Sequence, residues 1–228
     1  MKSIAESLED LKKRIRQAEK RFNRPRGSVL LLAVSKTRPS TDILAAAACG
    51  QVRFGENYLQ EALPKIQELT VNGLEWHFIG HIQSNKTRLI AANFDWVHTI
   101  DREQIARRLS HQRPPSLPPL NLCIQVNISK EPANSGVALD ALPALAKLVS
   151  DLPRLRLRGL LTLPAPTVEF EQQRLPFREL YQAHAKLNRA GIKMDTLSIG
   201  TTDDMEAAIA EGATMVRIGA AIFGPRSP

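Results

Sequence analysis

Short apolar runs rich in β-branched residues alternate along this chain with longer stretches whose apolar positions return every three or four residues. The short runs at 29–35, 52–55, 75–80, 95–99, 121–127, 155–162, 196–200 and 214–218 read as strands. Amphipathic stretches at 41–49, 58–69, 84–92, 102–111, 139–150, 169–189 and 203–210 separate them and read as helices. A further helix comes first: Ile4, Leu8, Leu11, Ile15 and Phe22 recur at roughly helical spacing, and Ser3 with Glu6 matches a capping box. Strands alternating with helices imply βαβ units and parallel pairing. A doubly wound open sheet competes with a closed (β/α)₈ TIM barrel. Eight is the closing number and no internal linker breaks the series, so the barrel is the arrangement the pattern favours. The proline-rich segment 113–119 (RPPSLPP) has the same βα rhythm on both sides and reads as a rigid loop at the bottom of the barrel. The expectation is one α/β domain over 1–228, with the helix of residues 1–22 packed on the barrel.

Composition narrows the picture. Hydrophobic residues make up 43% and charged residues 24%, enough to bury a substantial core. Thirty-one Lys+Arg against 23 Asp+Glu give +8, which raises an anionic partner, but the basic residues are spread rather than gathered in a stripe. No nucleic-acid partner is expected. Cys49 and Cys123 sit in apolar surroundings and read as two buried thiols in a reducing compartment. The first residues contain no signal-peptide pattern, and no apolar run is long enough to span a bilayer, so a cytoplasmic protein without a membrane partner is expected.

Barrel active sites form at the C-terminal ends of strands. Lys36 follows the first apolar run, where desolvation would disfavour its ammonium and free the amine to attack a carbonyl; a surface lysine at a strand end is the alternative. Asn57, after the second strand, could bond a ligand ring or cap the helix beginning at 58. After the seventh and eighth strands, Ser198 and Thr202 supply hydroxyls, and Gly200 and Gly219 let backbone N–H groups approach an anion. Loops there often bind phosphate. Asp203 and Asp204 could instead simply cap the following helix. Arg217 lies in an otherwise apolar strand and needs either an ion pair or a ligand. Facing a pyridine nitrogen, it would donate without giving up its proton and leave the ring a poor electron sink. His77 and His81 lack the HExxH pattern and a third ligand, so no metal site is expected, and His98 reads as core or barrel wall. There is no Walker A, GxGxxG or GxSxG motif.

The runs LLAVSKTRP, FGENYLQEA, LEWHFIGHIQSNK, FDWVHTIDR, LPRLRLRGLLTLPAP and DDMEAAIAEGATMVRIGAAIFG cover nearly the whole chain. On these blocks the sequence resembles the pyridoxal phosphate homeostasis protein family, the proline-synthetase-co-transcribed homologues. The resemblance implies a monomeric barrel like the N-terminal domain of alanine racemase. Its cofactor would be pyridoxal 5′-phosphate (PLP), its role vitamin B6 homeostasis without established turnover, and its partners PLP-dependent apoenzymes as recipients. It also implies roles for residues: Lys36 as the Schiff-base lysine, Asn57 near the ring, Ser198, Thr202 and Gly219 in the phosphate cradle, and Arg217 at the pyridine nitrogen. The chain departs from the family at Thr202, where a serine is usual, at Ala220, where a threonine is common, and at Asn134, where many members carry a lysine. An amino-acid racemase is the alternative. It would need a second base, a tyrosine from an additional β-domain in the racemases, and this sequence has only Tyr58 and Tyr181. A Schiff-base aldolase is the remaining option.

Overall fold

The computed structural model describes residues 2–69, 73–129 and 135–225; Lys130 and Asn134, in the loop after the fifth strand, lie outside them. Strands β1 (Leu30–Val34), β2 (Arg53–Glu56), β3 (Glu75–Phe78), β4 (Trp96–Ile100), β5 (Leu120–Gln125), β6 (Leu155–Leu161), β7 (Thr196–Ser198) and β8 (Met215–Ile218) pair in chain order. All pairs are parallel, and β8 returns to β1 in the register Leu31↔Val216, Leu32↔Arg217, closing the barrel. Each expected strand is present, and the open sheet is excluded.

Around the barrel run α1 (Ile4–Arg21), α2 (Ser40–Ala48), α3 (Leu59–Glu68), α4 (Thr87–Asn93), α5 (Glu103–Gln112), α6 (Leu142–Asp151), α7 (Phe170–Arg189), α8 (Met205–Ala210) and α9 (Ala220–Phe223). The capping box of α1 forms as read: Ser3 Oγ accepts from the Glu6 N–H at 3.2 Å, and the Glu6 carboxylate accepts from the Ser3 N–H at 2.7 Å. Leu8, Leu11, Ile15 and Ala18 are its buried face, packed against α2, α8 and α9. Buried Glu19 ties its end to the barrel by accepting from the Gly27 and Val29 N–H groups.

Several details differ from the sequence reading. The strand expected at 196–200 stops at Ser198, and the helix expected from 203 starts at Met205. Asp204 takes the N-cap position of that helix but makes no side-chain capping bond; its Oδ1 accepts from Thr201 N–H and Oγ–H at 2.5 and 2.8 Å and closes a turn over 201–204. Helix α9 is additional, a four-residue turn between two glycines that is too short to show a period. Cys49 is only half-buried, whereas Cys123 is buried. The 113–119 loop leads into the N-terminal end of β5. It is pinned by buried Arg113, which donates to Ala91 O, Phe94 O and Pro118 O.

The core has two parts. One lies between barrel and helices and includes fully buried Phe54, Phe94 and Phe177; truncating such a side chain costs about 3–5 kcal/mol. The other lies inside the barrel, where Trp96, Cys123 and Leu161 form a small apolar cluster. Much of this interior is polar. His98 of β4 and Ser198 of β7 are not on neighbouring strands, yet His98 Nδ1 and Ser198 Oγ lie 2.9 Å apart, so their bond crosses the inside.

Candidate functional site

A cavity of about 340 Å³ opens at the C-terminal end of the strands, within the ~300–1,000 Å³ range of small-molecule sites. Lys36, Asn57, Thr202, Arg217 and Gly219 of the sequence-predicted set line it. Arg38, Thr201, Asp203 and Ala220 line it as well.

Lys36 is presented by a braced strand end. The preceding Ser35 is fully buried; its hydroxyl donates to Glu56 Oε1 at 2.6 Å, while its carbonyl accepts from Lys65 Nζ of α3 at 3.0 Å. Lys65 also pairs with Glu56 Oε1 at 2.9 Å. Burial pushes the Glu56 carboxyl above its ordinary pKa, although Ser35 and Lys65 both oppose the shift. On the other side of Lys36, Thr37 takes φ of 62° and its N–H is held by Glu61 at 2.9 Å. A β-branched residue in the left-handed region is strained, the kind of local cost that clusters at functional sites.

Asn57 follows β2 and does not cap α3; the N-cap is Tyr58, without a side-chain bond. Its Oδ1 is buried without a hydrogen-bond partner among the described residues, a costly state that a ligand could relieve. Gly80 allows this geometry. A Cβ there would lie 1.9 Å from Asn57 O, so no other residue fits without backbone movement. Thr99 Oγ1 donates to Gly80 O at 2.6 Å and holds the loop down.

Arg217 is buried and has no carboxylate partner among the described residues. Its Nη1 donates to Ser198 O and, at 3.1 Å, to Ser198 Oγ; its Nη2 donates to Thr162 O at 3.3 Å. Carbonyl dipoles and a hydroxyl, not a counter-ion, hold the charge, and burial pushes its pKa down to about 10. It stays a cation at neutral pH.

Two predicted residues fall outside the cavity lining. Ser198 is fully buried and its hydroxyl is engaged by His98 and Arg217. Gly200 takes φ of 94° and lines an adjoining cavity, shaping the loop that carries Thr201 and Thr202. Arg38 was missed by sequence reading. It follows the KT of the SKTRP run, and its guanidinium binds Gly224 O and Pro225 O at 2.5 and 2.7 Å, drawing the β1 loop to the segment after α9. Its signal was the run itself, a second cation two positions after Lys36. His81, considered with His77, is exposed in the loop after β3.

Comparison with known proteins adds four findings. The family model described as "Alanine racemase, N-terminal domain" matches residues 7–227. The pyridoxal phosphate homeostasis protein of Escherichia coli (strain K12) is 54% identical over 229 residues, covering 99% of this chain and 98% of that protein. Among solved structures, PipY of Synechococcus elongatus PCC7942, with PLP bound, superposes with a TM-score of 0.85 at 35% identity, covering 97% of this chain and 100% of that one. Alanine racemase from Corynebacterium glutamicum shares the fold alone: TM-score 0.74, 18% identity, 97% of this chain and 61% of that one.

Proposed function

Because the chain belongs to the family of the alanine racemase N-terminal domain, and more narrowly to the pyridoxal phosphate homeostasis proteins, we propose that it holds PLP at the barrel mouth as a Schiff base on Lys36. In this reading it serves vitamin B6 homeostasis in the cytoplasm as a one-domain monomeric carrier, handing the cofactor to PLP-dependent apoenzymes, rather than turning over a substrate. The observation that carries it is convergence: an amine, an unsatisfied carboxamide oxygen and a buried guanidinium without a carboxylate partner among the described residues line a single cavity. A relative of 35% identity is described with PLP bound.

Each residue has a task in this proposal. Lys36 anchors the aldehyde carbon, with Ser35, Glu56 and Lys65 bracing its strand. Asn57 meets the polar edge of the ring. Thr202, the backbone at Gly219 and the first N–H groups of α9, which have no intrahelical acceptor, receive the phosphate. Gly200 shapes that loop, and Arg38 and Asp203 bring opposite charges to the cavity lining. The loss of a hydroxyl at Ala220 removes one conceivable phosphate donor. Ser198 acts through Arg217 rather than in the cradle. When bound, PLP would supply an electrophilic aldehyde and an electron-accepting ring. Arg217, still a cation, would donate to the ring nitrogen and leave it unprotonated, a weak sink for a carbanion. Neither Tyr58 nor Tyr181 lines the cavity, so no tyrosine among the described residues stands ready as a second base.

The test is a visible absorption spectrum of protein loaded with PLP, followed by borohydride reduction and mass mapping. Label on Lys36, lost in Lys36→Ala, is expected; label on Lys86 or Lys130 would sink the assignment. Pyridoxal without phosphate should bind far more weakly, since charge-assisted bonds contribute about 1.5–3 kcal/mol each. Incubation with L-alanine in heavy water should give at most slow exchange with retained configuration. D-alanine formed at roughly 1 s⁻¹ or faster would establish the racemase instead.

A further inference from the structure

The barrel interior holds a line of polar side chains that reaches beyond Ser198 and Arg217 to residues with no task in the ligand reading. Glu75 opens β3 at the N-terminal end of the barrel, and Ser198 ends β7 at the opposite, cavity end. Between them, His77 Nε2 lies 2.8 Å from Glu75 Oε1, His77 Nδ1 lies 2.8 Å from His98 Nε2, and His98 Nδ1 lies 2.9 Å from Ser198 Oγ. Arg217 Nη1 completes the line at 3.1 Å from Ser198 Oγ. Both imidazoles and Ser198 are fully buried, and Trp96 stacks on the His77 ring at 5.4 Å and 10°.

The direction of every bond follows from the two ends. An ionised carboxylate only accepts and a guanidinium only donates. Glu75 also accepts from Arg53 Nε at 3.1 Å, and these contacts hold its pKa below the usual value. His77 therefore carries its hydrogen on Nε2. A neutral imidazole has one N–H, so His77 Nδ1 must accept and His98 Nε2 must donate. His98 Nδ1 then accepts the Ser198 hydroxyl hydrogen, and Ser198 Oγ has only a lone pair left for Arg217. Reversing any single link between Glu75 and Ser198 would set N–H against N–H or lone pair against lone pair elsewhere in the line. A charged ring would break the sequence, and burial lowers the pKa of both histidines. Charged groups acting on the line from other elements are Arg53 and Asp95 near His77, and Asp204 near Arg217.

We propose that Glu75, His77 and His98 are positioning residues for Arg217: through Ser198 they form a one-directional hydrogen-bond chain along the barrel that decides which Arg217 hydrogens remain for a ligand. The inference rests on the reading of the mouth as a ligand site. Nη1 is consumed by Ser198 and one Nη2 hydrogen by Thr162, which leaves Nε–H and the second Nη2–H. Such a site takes a ring-nitrogen acceptor and rejects a ring N–H.

The test uses ligand-free protein, uniformly ¹⁵N-labelled, near neutral pH. Long-range ¹⁵N–¹H spectra should show both His77 and His98 as neutral Nε2–H tautomers. An Nδ1–H tautomer or a cationic ring at either position overturns the chain. Exchange of the Arg217 Nε–H with water should quicken roughly five-fold in Glu75→Leu, the scale of one neutral hydrogen bond. Glu75→Gln, which keeps an acceptor oxygen, should stay near wild type. If Glu75→Leu does not fold, His98→Phe carries the same expectation. Unchanged exchange in a folded variant overturns the coupling. Neither readout needs PLP: correct tautomers in a protein that takes up no PLP would sink the proposed function and leave the chain standing.

Discussion

Acid lability of the barrel interior is the most quantitative consequence of this structure. His98 is fully buried among His77, Ser198 and the Arg217 cation, with Trp96 beside it, and desolvation holds its pKa well below 6.5. In the unfolded chain it titrates near 6.5. The unfolded state therefore binds a proton that the folded state refuses, so stability is intact above that value and falls as the pH drops below it. Between about pH 7.5 and about pH 5.5 the linkage integral, RT ln(1 + 10) less a negligible starting term, is about 1.4 kcal/mol for one such group. His77, lowered by burial against a favourable Glu75, contributes up to the same again. Glu56 works in the opposite sense, because its raised pKa lets the folded state take up a proton first. A difference measurement removes that contribution. Urea unfolding of wild type and His98→Asn across this range should show the wild-type advantage shrinking by about 1.4 kcal/mol at the acidic end. Two parallel stability curves would refute the buried neutral imidazole, and with it the direction assigned to the chain.

Other substitutions probe the mouth. Lys65→Met leaves the Glu56 carboxylate buried without its cation and should cost about 3 kcal/mol near neutral pH. Part should return on acidification as Glu56, whose pKa burial raises, takes up a proton; an equal loss at neutral and acidic pH in urea titrations would contradict this. Gly80→Ala forces Asn57 and the β3 loop apart and should lower stability by about 1–3 kcal/mol and weaken PLP uptake; an unchanged melting temperature would refute the close approach. Thr37→Asn, placing a residue tolerant of positive φ beside Lys36, should raise stability by about 0.5–1 kcal/mol, or roughly 2–4 °C per kcal/mol in a thermal scan. A lower melting temperature would mean that Thr37 makes compensating contacts.

The sequence was informative wherever structure is local. Eight strands were legible because each is a run of a few apolar residues set off by a helical period, and α1 announced itself through Ser3, Glu6 and one apolar face. The placement of Lys36, Asn57, Thr202, Arg217 and Gly219 around the mouth cavity was legible because a polar residue or glycine after an apolar run marks a strand end without any knowledge of its neighbours. What escaped depends on distance along the chain. Whether Arg217 had a carboxylate partner could not be read from MVRIGAAIFG; that was decided by Ser198 at the end of β7 and Thr162 just past the end of β6, whose oxygens take up its hydrogens. Helix α8 began late because Asp204 bonded backward to Thr201, a choice between two hydrogen-bond patterns open to the same residues. The interior chain is the extreme case. His98 and Ser198 stand 100 residues apart, and an isolated histidine in an apolar strand carries no sign of its tautomer. Closure of the barrel removes water from these groups, and in its absence each must find its donor or acceptor across the interior, which only the three-dimensional arrangement can supply.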